Sequence, residues 1–135
     1  MTQDAPSRRI LLVEDEGMIA MLVEDMLEDL GHELVKVANH LEEAIAAARN
    51  ESVDLAILDL NLGGVLTYPA ADVLVERGIP FIFATGYGSG GLKEAYSGWP
   101  TLQKPFDTEA LGQAIQRASS IPAWRRSPSR SRSTC

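Results

Sequence analysis

Five polar side chains stand directly behind short apolar runs, and their types form a set able to handle a phosphoryl group. Glu14 and Asp15 follow the run 10–13, Asp59 follows 55–58, Thr85 follows 80–84, and Lys104 follows 101–103. If those runs are neighbouring parallel strands, all five side chains meet at one rim. Clustered carboxylates repel one another and take up protons unless a cation sits among them. A hard divalent ion with oxygen ligands, most simply Mg²⁺ keeping several waters, meets that need and leaves coordination sites for phosphate oxygens. A carboxylate at the end of a buried strand can then attack phosphorus to give an acyl phosphate, provided the charge on the phosphoryl oxygens is neutralised. Asp59 is the candidate nucleophile. Lys104 would bring a point charge to one phosphoryl oxygen and Thr85 a hydroxyl to another, while Gly86 leaves room beside them.

Elements able to place these residues can be read along the chain. The run ILLV (10–13) stops at three acids, as a buried parallel strand does on leaving the core. Met18, Ile19, Leu22, Val23, Met26, Leu27 and Leu30 then recur at helical spacing, with acids between them and Gly31 as a C-terminal cap. A second strand is expected at 34–37 and a second helix at 41–49, opened by Asn39 with Glu42 three residues on. A third strand covers 55–58, and Pro69 suits the first turn of a helix that runs to Gly78. PFIFA (80–84) is the fourth strand. A weak helix at 92–96, a short strand at 101–103 and a last helix capped by Asp107 follow. Alternation of this kind predicts an α/β fold, a parallel sheet covered by helices on both faces, with its ligand site beyond the carboxyl ends of the strands.

The 135 residues suffice for one domain, and 45% hydrophobic with 23% charged residues is the composition of a globular chain with a real core. The formal charge of −7 is uneven: residues 10–121 hold 6 basic and 18 acidic groups, while arginines gather at both ends. An acidic body repels a phosphate backbone, which argues against nucleic acid as its partner. The single cysteine, Cys135, cannot form an internal disulfide. No apolar run has the length of a membrane span and no secretion signal opens the chain, so a cytoplasmic location is expected. Residues 1–7 are expected to be a flexible N-terminus, 8–119 the folded domain, and 120–135 a flexible basic tail rich in Ser, Arg and Pro.

Through ILLVEDE (10–16), LAILDLNL (55–62), FATGYG (83–88) and LQKPF (102–106), the chain resembles the receiver domain of two-component response regulators over almost all of its length except the ends. The resemblance implies a flavodoxin-like five-stranded parallel sheet of order 2-1-3-4-5. It also implies a bacterial phosphorelay protein in which Asp59 accepts a phosphoryl group from a histidine kinase or histidine phosphotransfer protein. Asp15, Asp59 and the backbone carbonyl of Asn61 would bind Mg²⁺, Glu14 would act mainly through water, and the Lys104–Pro105 bond would be cis. Such a protein is a signalling protein, catalysing only its own phosphorylation and dephosphorylation. No output domain fits after Ala118, so the signal is expected to pass to a downstream partner protein.

One departure stands out. Receivers commonly carry a switch aromatic three residues before the lysine, where this chain has Thr101. FATGYG resembles an alphaproteobacterial subgroup that lacks this aromatic and has a tyrosine just after the threonine, here Tyr87. Glycines 86, 88, 90, 91 and 98 suggest a mobile segment that phosphorylation would order, and Asn61 and Tyr87 would flank the attacking water. Two other readings stand beside this one: a pseudo-receiver that binds partners without phosphoryl chemistry, and an enzyme of the same fold using flavin or nucleotide. GYGSGG (86–91) matches a dinucleotide fingerprint, but it follows the fourth strand instead of the first. His32 and His40 are expected at the surface, the methionines of the first helix in the core, and Trp99 beside the fifth strand.

Overall fold

The computed structural model describes residues 7–86, 96 and 98–121. In chain order these form β1 (Arg9–Val13), α1 (Gly17–Asp29), β2 (Glu33–Ala38), α2 (Leu41–Asn50) and β3 (Leu55–Asp59). Then come β4 (Asn61–Leu62), β5 (Val65–Leu66), α3 (Tyr68–Arg77), β6 (Phe81–Thr85), β7 (Thr101–Gln103) and α4 (Thr108–Ser119). The main sheet is parallel throughout, in the order β2-β1-β3-β6-β7. Counting its strands alone, this is 2-1-3-4-5, the flavodoxin-like order expected. The helix expected at 92–96 lies outside the described residues except for Tyr96, as do Tyr87, most of the glycine segment, Trp124 and nearly all of both terminal stretches.

Strand residues are apolar on both faces because helices cover both. Leu11 and Val13 of β1, Leu58 of β3, and Phe81 and Phe83 of β6 pack with α2 and α3. Ile10, Leu12, Ile57, Ile82 and Ala84 point the other way, into a second layer with Val23 and Leu27 of α1 and Leu111 and Ile115 of α4. Trp99 stacks on Phe81 with ring centroids 4.1 Å apart, so it packs against β6.

Helix ends follow their sequence signals with two corrections. Gly31 and Gly78 take positive φ of 85° and 73° just past α1 and α3, and Pro69 opens α3. Asp107 caps α4, its side chain accepting from the Ala110 N–H at 2.8 Å. Asp107→Ala is therefore expected to lower stability by about 1 kcal/mol in urea denaturation. The cap of α2, however, is His40, whose Nδ1 accepts from Glu43 N–H, while Glu43 reaches back to Asn39 N–H at 3.1 Å. The capping box is thus shifted by one residue from the expected Asn39 and Glu42, since imidazole nitrogen serves as acceptor where an Asn was anticipated. The second correction concerns α1. Met18, Met21 and Leu22 are exposed at 79%, 66% and 56%, and only Ala20, Val23 and Leu27 are buried. A helix apolar around most of its circumference can turn only one stripe to the sheet.

Candidate functional site

The carboxyl ends of β1, β3, β6 and β7 form one rim, and the five side chains singled out above lie along it. Glu14 continues β1, its N–H bonded to Ala38 O at 2.9 Å, and its side chain turns inward, leaving the residue 4% exposed. Asp59, the last residue of β3, is 7% exposed and sits opposite Ala84. Thr85 ends β6 and is 3% exposed. Lys104 follows β7, with its N–H on Thr85 O at 2.9 Å and a cis bond to Pro105. Asp15 alone of the three acids is solvent-exposed.

Lys104 Nζ lies 3.0 Å from Asp59 Oδ2 and 3.2 Å from Glu14 Oε1, joining two carboxylates from different strands. Burial raises the Glu14 pKa; the Lys104 charge works against this, and the neighbouring Asp59 adds to it. Burial alone would lower the Lys104 pKa, but the hydrogen bond and charge of Asp59, then those of Glu14, raise it on balance. The ammonium is fully charged at neutral pH.

One carboxylate oxygen each from Glu14, Asp15 and Asp59 lies within 4.8 Å of the others. One ammonium against three acids leaves negative charge uncompensated among the described residues, and an all-oxygen donor set suits a hard divalent cation. The residues present therefore fit Mg²⁺. A Cβ built on Gly86 would meet no described atom within 4 Å.

Other groups lie elsewhere or carry no signal in the sequence. His32 sits at the opposite rim, its Nδ1 accepting from Arg8 N–H at 3.1 Å, and burial, then the Arg8 charge, lowers its pKa. Asn61 and Leu62 form a small antiparallel hairpin with Val65 and Leu66 where only a loop was expected. Thr67, fully buried, donates its hydroxyl to Asp59 O at 2.8 Å. Tyr96 stacks on Tyr68 and meets Phe83 edge-on, with its hydroxyl donating to Asp72. Its pKa is raised by burial and by the Asp72 contact. Neither Thr67 nor Tyr96 belongs to a run or period that would mark it.

A family model described as the response regulator receiver domain matches residues 10–116. The transcriptional regulatory protein PdtaR of Mycobacterium tuberculosis is 32% identical over 120 residues, covering 86% of this chain and 58% of its own length. The chain thus spans little more than half of that relative. The solution structure of SdrG from Sphingomonas melonis Fr1 aligns with a TM-score of 0.75 at 39% identity, covering 83% of this chain and 96% of that one. The receiver domain of the sensor histidine kinase PA1611 from Pseudomonas aeruginosa PAO1, solved with magnesium in its active-site cleft, aligns with a TM-score of 0.72 at 26% identity. It covers 86% of this chain and is itself covered in full. With the strand order, the acidic rim and a family match across most of its length, the chain belongs to the response regulator receiver domain family.

Proposed function

We propose that this protein is a phosphorelay receiver in which Asp59 accepts a phosphoryl group from a phosphohistidine of a kinase or phosphotransfer protein. The observation that carries the reading is the Lys104 ammonium bridging Asp59 and Glu14 beside Asp15. An Asp59 oxygen forms a bond to phosphorus as the P–N bond to imidazole breaks, and the freed imidazole takes its proton from solvent. Lys104 donates to a phosphoryl oxygen and Thr85 offers a hydroxyl to another; neither is consumed. Mg²⁺, when held by Glu14, Asp15, Asp59 and the Asn61 carbonyl, would neutralise charge on the transferring group. Gly86 leaves space for that group, and Pro105 sets the approach of Lys104.

The exposed Met18, Met21 and Leu22 lie on the helix that starts two residues after Asp15, an apolar face suited to a phosphodonor protein. Output is proposed to pass to a separate protein, in the cytoplasm; among the described residues no helix is long and apolar enough to cross a membrane. The test is intact mass after incubation with Mg²⁺ and acetyl phosphate. A single Mg²⁺-dependent phosphoryl adduct, absent in Asp59→Asn, is expected. A folded protein that takes no adduct from several donors would instead be a binding module without phosphoryl chemistry.

The raised Glu14 pKa gives the cation a pH-dependent effect. In the folded chain Glu14 holds a proton that the unfolded chain releases, so without the cation its contribution to stability is fully present below the ordinary glutamate range and is lost as pH rises through the raised value. A divalent ion offsets the charge that appears there. Mg²⁺ should therefore raise Tm more at about pH 8 than at about pH 5, read by circular dichroism melts. An equal shift at both would contradict this.

A further inference from the structure

We infer that the β4–β5 hairpin is a positioning device for the acidic site, and that Gly64 and Thr67 act through it to set cation affinity and phosphoryl lifetime. This rests on the proposed role of Asp59. Gly63 and Gly64 have φ of +59° and +99°, the two positive values that a two-residue type I′ turn requires. Leu62 and Val65 flank that turn and so form a hydrogen-bonded pair; the next pair, Asn61 and Leu66, is not hydrogen-bonded. The pair after it is bonded again, as the Thr67 N–H on Leu60 O at 3.0 Å shows. Asn61 therefore turns its own backbone groups away from Leu66. Its N–H reaches Asp59 Oδ1 at 3.2 Å, and in an extended residue the carbonyl lies on the same edge. The turn thus directs a carbonyl toward the carboxylate cluster.

The side chain of Asn61 is fixed by the same turn. Its Oδ1 accepts from the Gly64 N–H at 2.5 Å, which makes the amide nitrogen its donor end. At the base of the hairpin, the buried Thr67 hydroxyl holds Asp59 O. At the tip, a Cβ on Gly63 would lie 3.7 Å from Asp15 Oδ2, so the turn passes beside the second carboxylate. Leu62 anchors β4 in the core, but Val65 and Leu66 are 47% and 45% exposed, so core packing does little to hold β5. Two-residue strands have little stability of their own, which leaves the turn and Thr67 to fix where β5 lies against the anchored β4.

Mn²⁺ affinity, measured by water-proton relaxation, and adduct decay in saturating Mg²⁺, followed by intact mass, test this without relying on uptake rate. Gly64→Ala places a side chain at +99°, and Thr67→Val removes the hydroxyl at constant shape. Each is expected to weaken Mn²⁺ binding about tenfold and to shorten the adduct's half-life about threefold or more. Val65→Thr, at an exposed position of the same hairpin that leaves the turn glycines and Thr67 untouched, should keep both values of the parent. If Thr67→Val does not fold, Gly64→Ala at the surface decides. Folded variants matching the parent in Mn²⁺ affinity and half-life would overturn the hairpin's role and leave the phosphorylation reading intact. A parent protein that neither binds Mn²⁺ nor forms the adduct overturns both.

Discussion

Lys104→Met is expected to slow phosphoryl uptake from acetyl phosphate by about 10²-fold or more, and to cost the cation-free protein about 2 kcal/mol of stability. Methionine keeps the length of the stem and removes the charge. In the parent, Nζ is the one cation among the described residues within 4 Å of Glu14 and Asp59, at 3.2 and 3.0 Å. Its loss leaves Glu14, at 4% exposure, facing Asp59 with nothing between them. Truncating a fully buried pair costs about 3–5 kcal/mol. The expected figure is smaller because Glu14 can escape by taking up a proton and because Asp15 opens the site to solvent.

That escape gives the loss a pH signature. Lys104 charge is what opposes the rise of the Glu14 pKa, so the variant's Glu14 rises further. Protonation of Glu14 removes the like charge facing Asp59, so the loss is expected to be smaller at about pH 5 than at about pH 8. Titration of Lys104 itself does not intrude, since its pKa is raised and its favourable contribution disappears only above the ordinary lysine range. Lys104→Arg should recover much of the stability but little of the rate, because a planar fork does not reproduce a compact ammonium. Urea titrations at the two pH values and a time course of intact mass measure these effects. Uptake by Lys104→Met at the parent's rate would remove the ammonium from the proposed chemistry.

The strands and the acids that end them were legible because two physical signals coincide. A continuous apolar run reports burial on both faces, and a charge directly after it reports where the chain leaves the core. Ile10–Val13 followed by Glu14, and Leu55–Leu58 followed by Asp59, are of this kind. The hairpin carried no such signal: two strands of two residues give no period, and Gly63–Gly64 reads as a loop until its register is seen. For α1, spacing placed the helix, but apolar residues around most of its circumference left the buried stripe undefined, and Met18, Met21 and Leu22 proved exposed. Thr67 and Tyr96 were silent for a different reason. Each is fixed by residues distant in sequence, Thr67 by Asp59 and Tyr96 by Tyr68, Asp72 and Phe83, and no local pattern encodes such a contact.

Phe83→Ala should be the most damaging core substitution on the α2–α3 side, at about 4 kcal/mol. Its ring is fully buried, 5.4 Å from Phe81 and 5.7 Å from both Tyr68 and Tyr96, each in edge geometry. It also lies two residues before Thr85 on β6, between Leu58 of β3 and Thr101 of β7. No small movement of the sheet can close the resulting cavity, because β6 is paired on both sides. A domain of this size has about 5–15 kcal/mol in total, so the variant should stand close to unfolding at room temperature. Phe83→Leu, which refills much of the space but loses the edge contacts, should cost about 1–2 kcal/mol. Tyr96→Phe keeps the ring stacked on Tyr68 and deletes only the hydroxyl on Asp72, so about 1 kcal/mol is expected. Urea denaturation of the three variants orders these effects. A Phe83→Ala protein harmed less than Tyr96→Phe would mean that β6 is anchored from its other face, through Ile82 and Ala84 against α1 and α4.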